Sequence, residues 1–178
     1  MRPSVVFLVC IMGCAGVLFF EGGFRFNATA SMPRGVYQLV PGQAVVIEHG
    51  ALVSFCLEDT TFTPLALERG YLRPGSCPGG LQPLLKVVAG LPGDEVGLAP
   101  DGIWINGRLQ PESQAHSQDS SGRPLPPIAL RSGRIPQGMA LILSSGHPGG
   151  FDGRYFGLVP LTSLQLVKPV QLFDTGEK

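Results

Sequence analysis

The stretch Asn27-Ala-Thr-Ala-Ser-Met-Pro-Arg-Gly-Val-Tyr37 follows a long apolar run and opens a chain that is otherwise strand-like. Ser31 is followed by one residue and then Pro33. Two readings start from that spacing. A Ser-x-Pro can simply begin a turn in a polar linker. Alternatively, a small hydroxyl held on a tight turn is a candidate nucleophile, and the rest of the chain must then supply a base.

Upstream, Arg2 precedes the uncharged run Val5–Phe20, which ends at Glu21. A spanning helix wants about 17–25 apolar residues, so Pro3, Ser4, Gly22 and Gly23 must contribute to one. A cleavable signal peptide is the rival, with Ala28-Thr-Ala30 as a small-residue cleavage site. The length of the run and the charged spacer from Glu21 to Asn27 favour a retained anchor over residues 1–23. Positive charge at the extreme N-terminus puts that end in the cytoplasm. Residues 24–178 are then expected outside the inner membrane, in the periplasm, as a single-pass protein.

Downstream, 25 Gly and 17 Pro among 178 residues depress helix propensity and suit a mainly β domain rich in turns. Strands are expected at Gly35–Val40, Ala44–Ile47, Ala51–Cys56, Leu84–Ala89, Asp101–Gly107, Met139–Ser144 and near Leu164–Val167. One short helix fits Thr63–Tyr71, with Thr63 as cap, Pro64 at its first position and Gly70 closing it. Residues from about 110 to 127 are rich in Ser, Gln, Asp and Pro and read as an exposed insertion.

The 13 basic and 13 acidic residues balance to a net charge of zero, which argues against nucleic-acid binding, since that needs a basic stripe to neutralise phosphates. The histidines at 49, 116 and 147 have no metal-ligand spacing and no CxxC is present, so neither metal nor cofactor is expected. Cys10 and Cys14 lie in the apolar run. Cys56 and Cys77 lie beyond it, where export would make a disulfide their natural use and a cytosolic setting would leave them unpaired.

Lys86 stands at the centre of the apolar strand Leu84–Ala89. Such a lysine sits at a sheet edge with its amine in water, or is buried with its pKa lowered. In the second case the neutral amine can take a proton from a hydroxyl.

Ser31, then Lys86 ahead of Leu91-Pro-Gly-Asp94, then Asp152 in Phe151-Asp-Gly-Arg-Tyr-Phe-Gly157 occur in that order. This set resembles the signal-peptidase family of Ser/Lys proteases, and more closely its conjugative-transfer, TraF-type branch of pilin-processing peptidases. That branch shows Asn-x-Thr-x-Ser-x-Pro-x-Gly-x-Tyr, which Asn27 to Tyr37 reproduces. Gly93–Val96, Asn106-Gly107 and the late Asp-x-Arg-Tyr-Phe-Gly block also match, so the resemblance covers roughly residues 5 to 170.

It implies a signal-peptidase-like β domain behind an N-terminal transmembrane helix. The implied machinery is Ser31 as nucleophile, followed by Met32 and Pro33 in support, Lys86 as base, and Asp152 with Arg154 as required support. The Ser31 backbone N–H is the natural oxyanion donor, and a second donor is unassigned. Asp152 is read as support or lysine orientation more than as a proton carrier, because a carboxylate beside Lys86 favours charged lysine. Met32 is core filler, or touches the membrane or the substrate groove. His147 is given no catalytic task.

The implied substrate is a conjugative pilin precursor, cleaved or cyclised. The alternatives are a general signal peptidase and a non-catalytic membrane-tethered assembly factor. One departure stands out: Gly150 and Gly153 occupy positions where the family usually has serine. The first of those serines is implied to orient the lysine, which leaves Ser144 and Ser145 as candidates by proximity in sequence.

Overall fold

The computed structural model describes residues 23–42, 46–58, 63–145 and 147–173. The expected anchor therefore falls, but for Gly23, outside the described residues. Among the described residues no helix is long and apolar enough to cross a membrane.

The body is mainly β. The strands are β1 (Phe24–Asn27), β2 (Gly35–Leu39), β3 (Leu52–Phe55), β4 (Leu84–Gly90), β5 (Glu95–Ala99), β6 (Gly102–Ile105), β7 (Arg108–Leu109), β8 (Gly133–Arg134), β9 (Met139–Leu143), β10 (Val159–Pro160) and β11 (Gln165–Leu172). A seven-stranded sheet runs in the order β1-β2-β11-β3-β4-β9-β10, and a four-stranded sheet runs β7-β6-β5-β8. Every pairing within them is antiparallel.

The aliphatic strands β4 and β9 lie side by side near the middle of the large sheet because both of their faces are covered. Val88, Ala140 and Ile142 join Val53, Phe55 and Leu81 in one core cluster. Leu141 and Leu143 point the other way and pack with Val96, Ile103 and Ile105 of the small sheet. Alternation at period two thus fastens the sheets together through a single strand.

The helix α1 spans Thr63–Glu68, followed by Gly70 at φ 74°, close to the expected Thr63–Tyr71. The β6–β7 hairpin turns on Asn106 and Gly107, both at positive φ, as an Asn-Gly hairpin requires. A disulfide joins Cys56 and Cys77 across the main cluster, with Cα atoms 5.5 Å apart.

Three expectations need correction. Ala44–Ile47 was expected as a strand, yet Val46 and Ile47 lie in none, and Ala44 falls outside the described residues. Val46 is largely exposed and Ile47 packs against the main core from a loop, so the β-branched pair is used outside any sheet. The last strand runs to Leu172 instead of stopping near Val167, because a bulge between Pro169 and Gln171 absorbs the proline while pairing to β2 continues. Gly35 makes that pairing possible, since a Cβ there would lie 2.3 Å from the Gln171 carbonyl oxygen. Finally, Phe24–Asn27 is an edge strand and not a plain spacer.

The insertion is mostly exposed, but it is tied down. Asp119 accepts from the Tyr71 hydroxyl, from the Ser121 and Arg123 backbone N–H groups and from Arg123 Nε. Arg69 donates to the Pro124 carbonyl.

Candidate active site

The Ser31 turn is built by its own motif residues. Asn27, at the end of β1, is 6% exposed. Its Nδ2 donates to the carbonyls of Thr29 (3.0 Å), Met32 (3.0 Å) and Pro33 (3.1 Å). Tyr37 on β2 donates from its hydroxyl to the Pro33 carbonyl at 2.6 Å. Asn27 and Tyr37 therefore satisfy the backbone carbonyls that a tight turn turns inward. Met32 is buried with Tyr37, Leu85 and Val167, so it is core and not a groove or membrane contact. Pro33 itself is exposed.

Thr29 is a residue to which the sequence reading gave no task. Its Oγ1 lies 2.8 Å from Asn27 Oδ1 and 3.0 Å from Ser31 Oγ. The three carbonyls fix the Asn27 amide nitrogen, so Oδ1 faces Thr29 and takes its single hydroxyl proton. Ser31 is then the donor in the Ser31–Thr29 bond. The signal was present as a hydroxyl two residues before the serine.

Lys86 occupies the third position of β4, and β4 is flanked by β3 and β9. Val53 of β3 is its cross-strand partner. The sheet-edge alternative is thereby overturned, and the residue is 4% exposed. Burial lowers the Lys86 pKa to about 8; the charge of Asp152 opposes that fall and the charge of Arg154 adds to it. An amine with such a pKa is partly neutral near neutral pH and able to accept a proton.

Asp152 and Arg154, each 1% exposed, form a buried pair. Asp152 caps the single-turn helix α2 (Gly153–Phe156) by accepting from the Arg154 backbone N–H. Its Oδ1 also accepts from Arg154 Nε at 2.8 Å, and its Oδ2 accepts from Arg154 Nη2 and from the Ser144 backbone N–H, both at 2.9 Å. Arg154 reaches further, from Nη1 to the carbonyls of Glu112, Gln114 and Pro148 and from Nη2 to that of Gly150. One guanidinium thus fastens the Asp152 loop to the start of the insertion.

Two contacts bring the dispersed parts together. The Ser145 N–H donates to the Ser31 carbonyl at 2.9 Å, which docks the Ser31 turn just past the end of β9. Met32 shares one buried cluster with Leu85, the residue before Lys86. His147 makes no contact with Ser31, Lys86 or Asp152 among the hydrogen bonds of the described residues.

This arrangement of a hydroxyl turn, a buried lysine strand and an Asp-x-Arg loop accompanies a family match over most of the chain. The "Signal peptidase, peptidase S26" family matches residues 2–167, and the chain belongs to that family. Within it, the chain is 35% identical over 167 residues to the plasmid transfer protein TraF of Escherichia coli, covering 91% of this chain and 92% of that one. The conjugal transfer protein TraF of Agrobacterium fabrum is 39% identical over 165 residues, covering 92% and 91%. A signal peptidase I from Enterococcus faecalis aligns with 71% of this chain and 99% of that chain at 21% identity and a TM-score of 0.39, too loose a likeness to carry an argument.

Proposed function

We propose that this chain is a membrane-anchored serine endopeptidase in which Ser31 is the nucleophile and Lys86 its general base. Its substrate is an exported precursor, a conjugative pilin propeptide, cleaved on the periplasmic face of the inner membrane. The observation that carries the reading is the buried Lys86 amine, whose pKa of about 8 suits a base. Family membership supports peptidase chemistry, and the plasmid and conjugal transfer relatives support the setting. The Cys56–Cys77 disulfide agrees with an oxidising compartment.

On substrate binding the Ser31 hydroxyl turns its proton from Thr29 Oγ1 toward Lys86 Nζ, and the proton passes to that amine as Ser31 Oγ attacks the scissile carbonyl carbon. The oxyanion forms at the Ser31 N–H, which makes no hydrogen bond among the described residues. Lys86 returns the proton to the departing amine as the C–N bond breaks, which leaves an ester on Ser31. Water, or the amino terminus of the processed chain, then attacks that ester; Lys86 takes the attacking group's proton and returns it to Ser31 Oγ as the ester C–O bond breaks.

Asp152 and Arg154 are positioning residues in this scheme. The carboxylate already accepts four hydrogen bonds, so it acts on Lys86 through its charge.

The test is precursor processing in membranes by Ser31→Ala and Lys86→Ala. Each variant is expected to lose cleavage by about 1,000-fold or more. Unaltered processing by both variants refutes the dyad. Product mass then separates the two fates of the ester, because a cyclic product lacks one water. Accumulation of many unrelated precursors on depletion would mark a general signal peptidase instead.

A further inference from the structure

The Ser144 hydroxyl is a buried polar atom that the scheme above leaves without a task. Its Oγ has no hydrogen-bond partner among the described residues. A buried hydroxyl left unmatched costs free energy, so its place in the structure calls for a reason.

The register supplies one. Val88 pairs with Ile142 and Val87 with Leu143, so the next position on each strand sets Lys86 opposite Ser144. Directly opposed residues on neighbouring strands share a face, with Cβ atoms about 4.5–5.5 Å apart. Side chains on that face include Val88 and Ile142 of the main core. The Ser144 backbone N–H is held at 2.9 Å by Asp152 Oδ2, which fixes where its side chain starts.

Gly150 completes the picture. A Cβ built there would lie 2.0 Å from Ser144 Oγ and 2.5 Å from Ser144 Cβ. The Gly150 backbone is not left-handed, so the Ser144 side chain is the main obstacle to a residue at that position. Ser144 fills the space, and Gly150 leaves it open.

We propose that Ser144 is the positioning residue for Lys86, accepting a hydrogen bond from its amine. The inference rests on the Ser31–Lys86 reading. A neutral amine has one lone pair and two N–H groups. For proton transfer the lone pair must face Ser31, and it does so reliably only if an N–H is anchored on another side. Ser144 Oγ has two free lone pairs on the right strand for that purpose. Ser145 is excluded, because it is exposed and its backbone is committed to Ser31.

The experiment uses the full chain in membranes with the pilin precursor of its own transfer system, measured at steady state. Ser144→Ala should lower kcat about 100-fold, the scale of a misplaced reacting group, while KM and the unfolding midpoint stay near the parent values. Two double variants then exchange the positions at matched volume. Ser144→Gly with Gly150→Ser restores a hydroxyl from the other side of the same space and should recover kcat to within about tenfold of the parent. Ser144→Gly with Gly150→Ala fills the space without a hydroxyl and should remain slow.

Parental kcat in Ser144→Ala overturns the inference, as do equal rates in the two double variants. The Ser31→Ala control keeps the two levels apart. If it is inert while Ser144→Ala is fully active, the peptidase reading stands and only this inference fails. If Ser31→Ala cleaves like the parent, both fall.

Discussion

Replacing Lys86 by Met should abolish cleavage and, at neutral pH, make the protein more stable. Lys86 has a pKa of about 8 in the folded chain against an ordinary 10.5, mainly because burial disfavours its charged form. Below pH 8 the amine is protonated in both folded and unfolded chains, and the folded state carries the whole penalty. Between 8 and 10.5 the unfolded chain binds more protons than the folded one, so stability rises with pH. Above 10.5 both forms are neutral and the penalty is gone. A shift of this size corresponds to about 3 kcal/mol. Met removes the titration and keeps an apolar stem of similar length, so its own packing contribution is independent of pH. The advantage of Lys86→Met over the parent should therefore shrink by about 3 kcal/mol from pH 7 to pH 11, equivalent to about 6–12 °C in unfolding midpoint for a chain of this size. Urea unfolding of the detergent-solubilised protein, followed by the fluorescence of the single tryptophan, Trp104, measures this. Groups that titrate identically in both proteins cancel in the difference. Parallel stability–pH curves for parent and variant would show that Lys86 carries no burial penalty, and the argument for a neutral base would go with it.

Other perturbations give independent readings. The kcat/KM of the parent should rise with pH through about 8, as Lys86 loses its proton; Asp152→Asn should move that limb lower, because the Asp152 charge holds the lysine pKa up, and a pH–rate series on both proteins decides it. Arg154→Met removes the partner of a buried carboxylate and should destabilise by about 3–5 kcal/mol, with Arg154→Lys failing to rescue because an ammonium cannot reproduce the fork; urea midpoints measure both. The same Arg154 variants should also expose the 110–127 segment to limited proteolysis, since Glu112 and Gln114 lose their anchor. Asn27→Ala leaves the carbonyls of Thr29 and Met32 without their side-chain donor, while Pro33 keeps Tyr37, and should cost about 2–3 kcal/mol as well as activity, seen in unfolding and processing together. Removing the Cys56–Cys77 bridge by a double Ala substitution should lower stability by about 3 kcal/mol, read from the shift in urea midpoint.

The parts of this fold that were legible in the sequence are those where local pattern and tertiary setting agree. The aliphatic strands β4 and β9, the Asn106-Gly107 hairpin and the Pro64–Gly70 helix each announce themselves through residues that fit only one local conformation. β1 was hidden because Phe24–Asn27 is short and follows an apolar run, so its pairing with β2 has no signal of its own. β11 was cut short because proline ordinarily ends a strand, and only the bulge at Pro169 lets pairing continue. At the site, the order Ser31, Lys86, Asp152 was readable, whereas burial of Lys86 was not. The sequence Leu-Leu-Lys-Val-Val suits an edge strand as well as a central one, and only the placement of β4 between β3 and β9 decides. Thr29 shows in the sequence as a hydroxyl two residues before Ser31, and Ser144 as one of two candidates beside the late block, but what each contacts is not readable there, because a serine or threonine gains meaning only from the atom it faces.

The Asp152–Arg154 pair shows how charge and geometry are divided in this site. A carboxylate that also served Lys86 by hydrogen bonding would hold the amine in its charged form, which a base cannot use. Here the lone pairs of Asp152 are occupied by Arg154 and by the Ser144 N–H. Arg154 places a compensating positive charge beside it, and that charge lowers the lysine pKa. The pair therefore leaves burial as the main influence on Lys86. It also pins the first residue after β9, so the same carboxylate that is kept away from the amine sets the position of the side chain opposite it. Electrostatic neutrality and placement come from one buried ion pair. This is why removing either partner should disturb the pH profile and the fold together, whereas changing the Ser144 hydroxyl should disturb the rate alone.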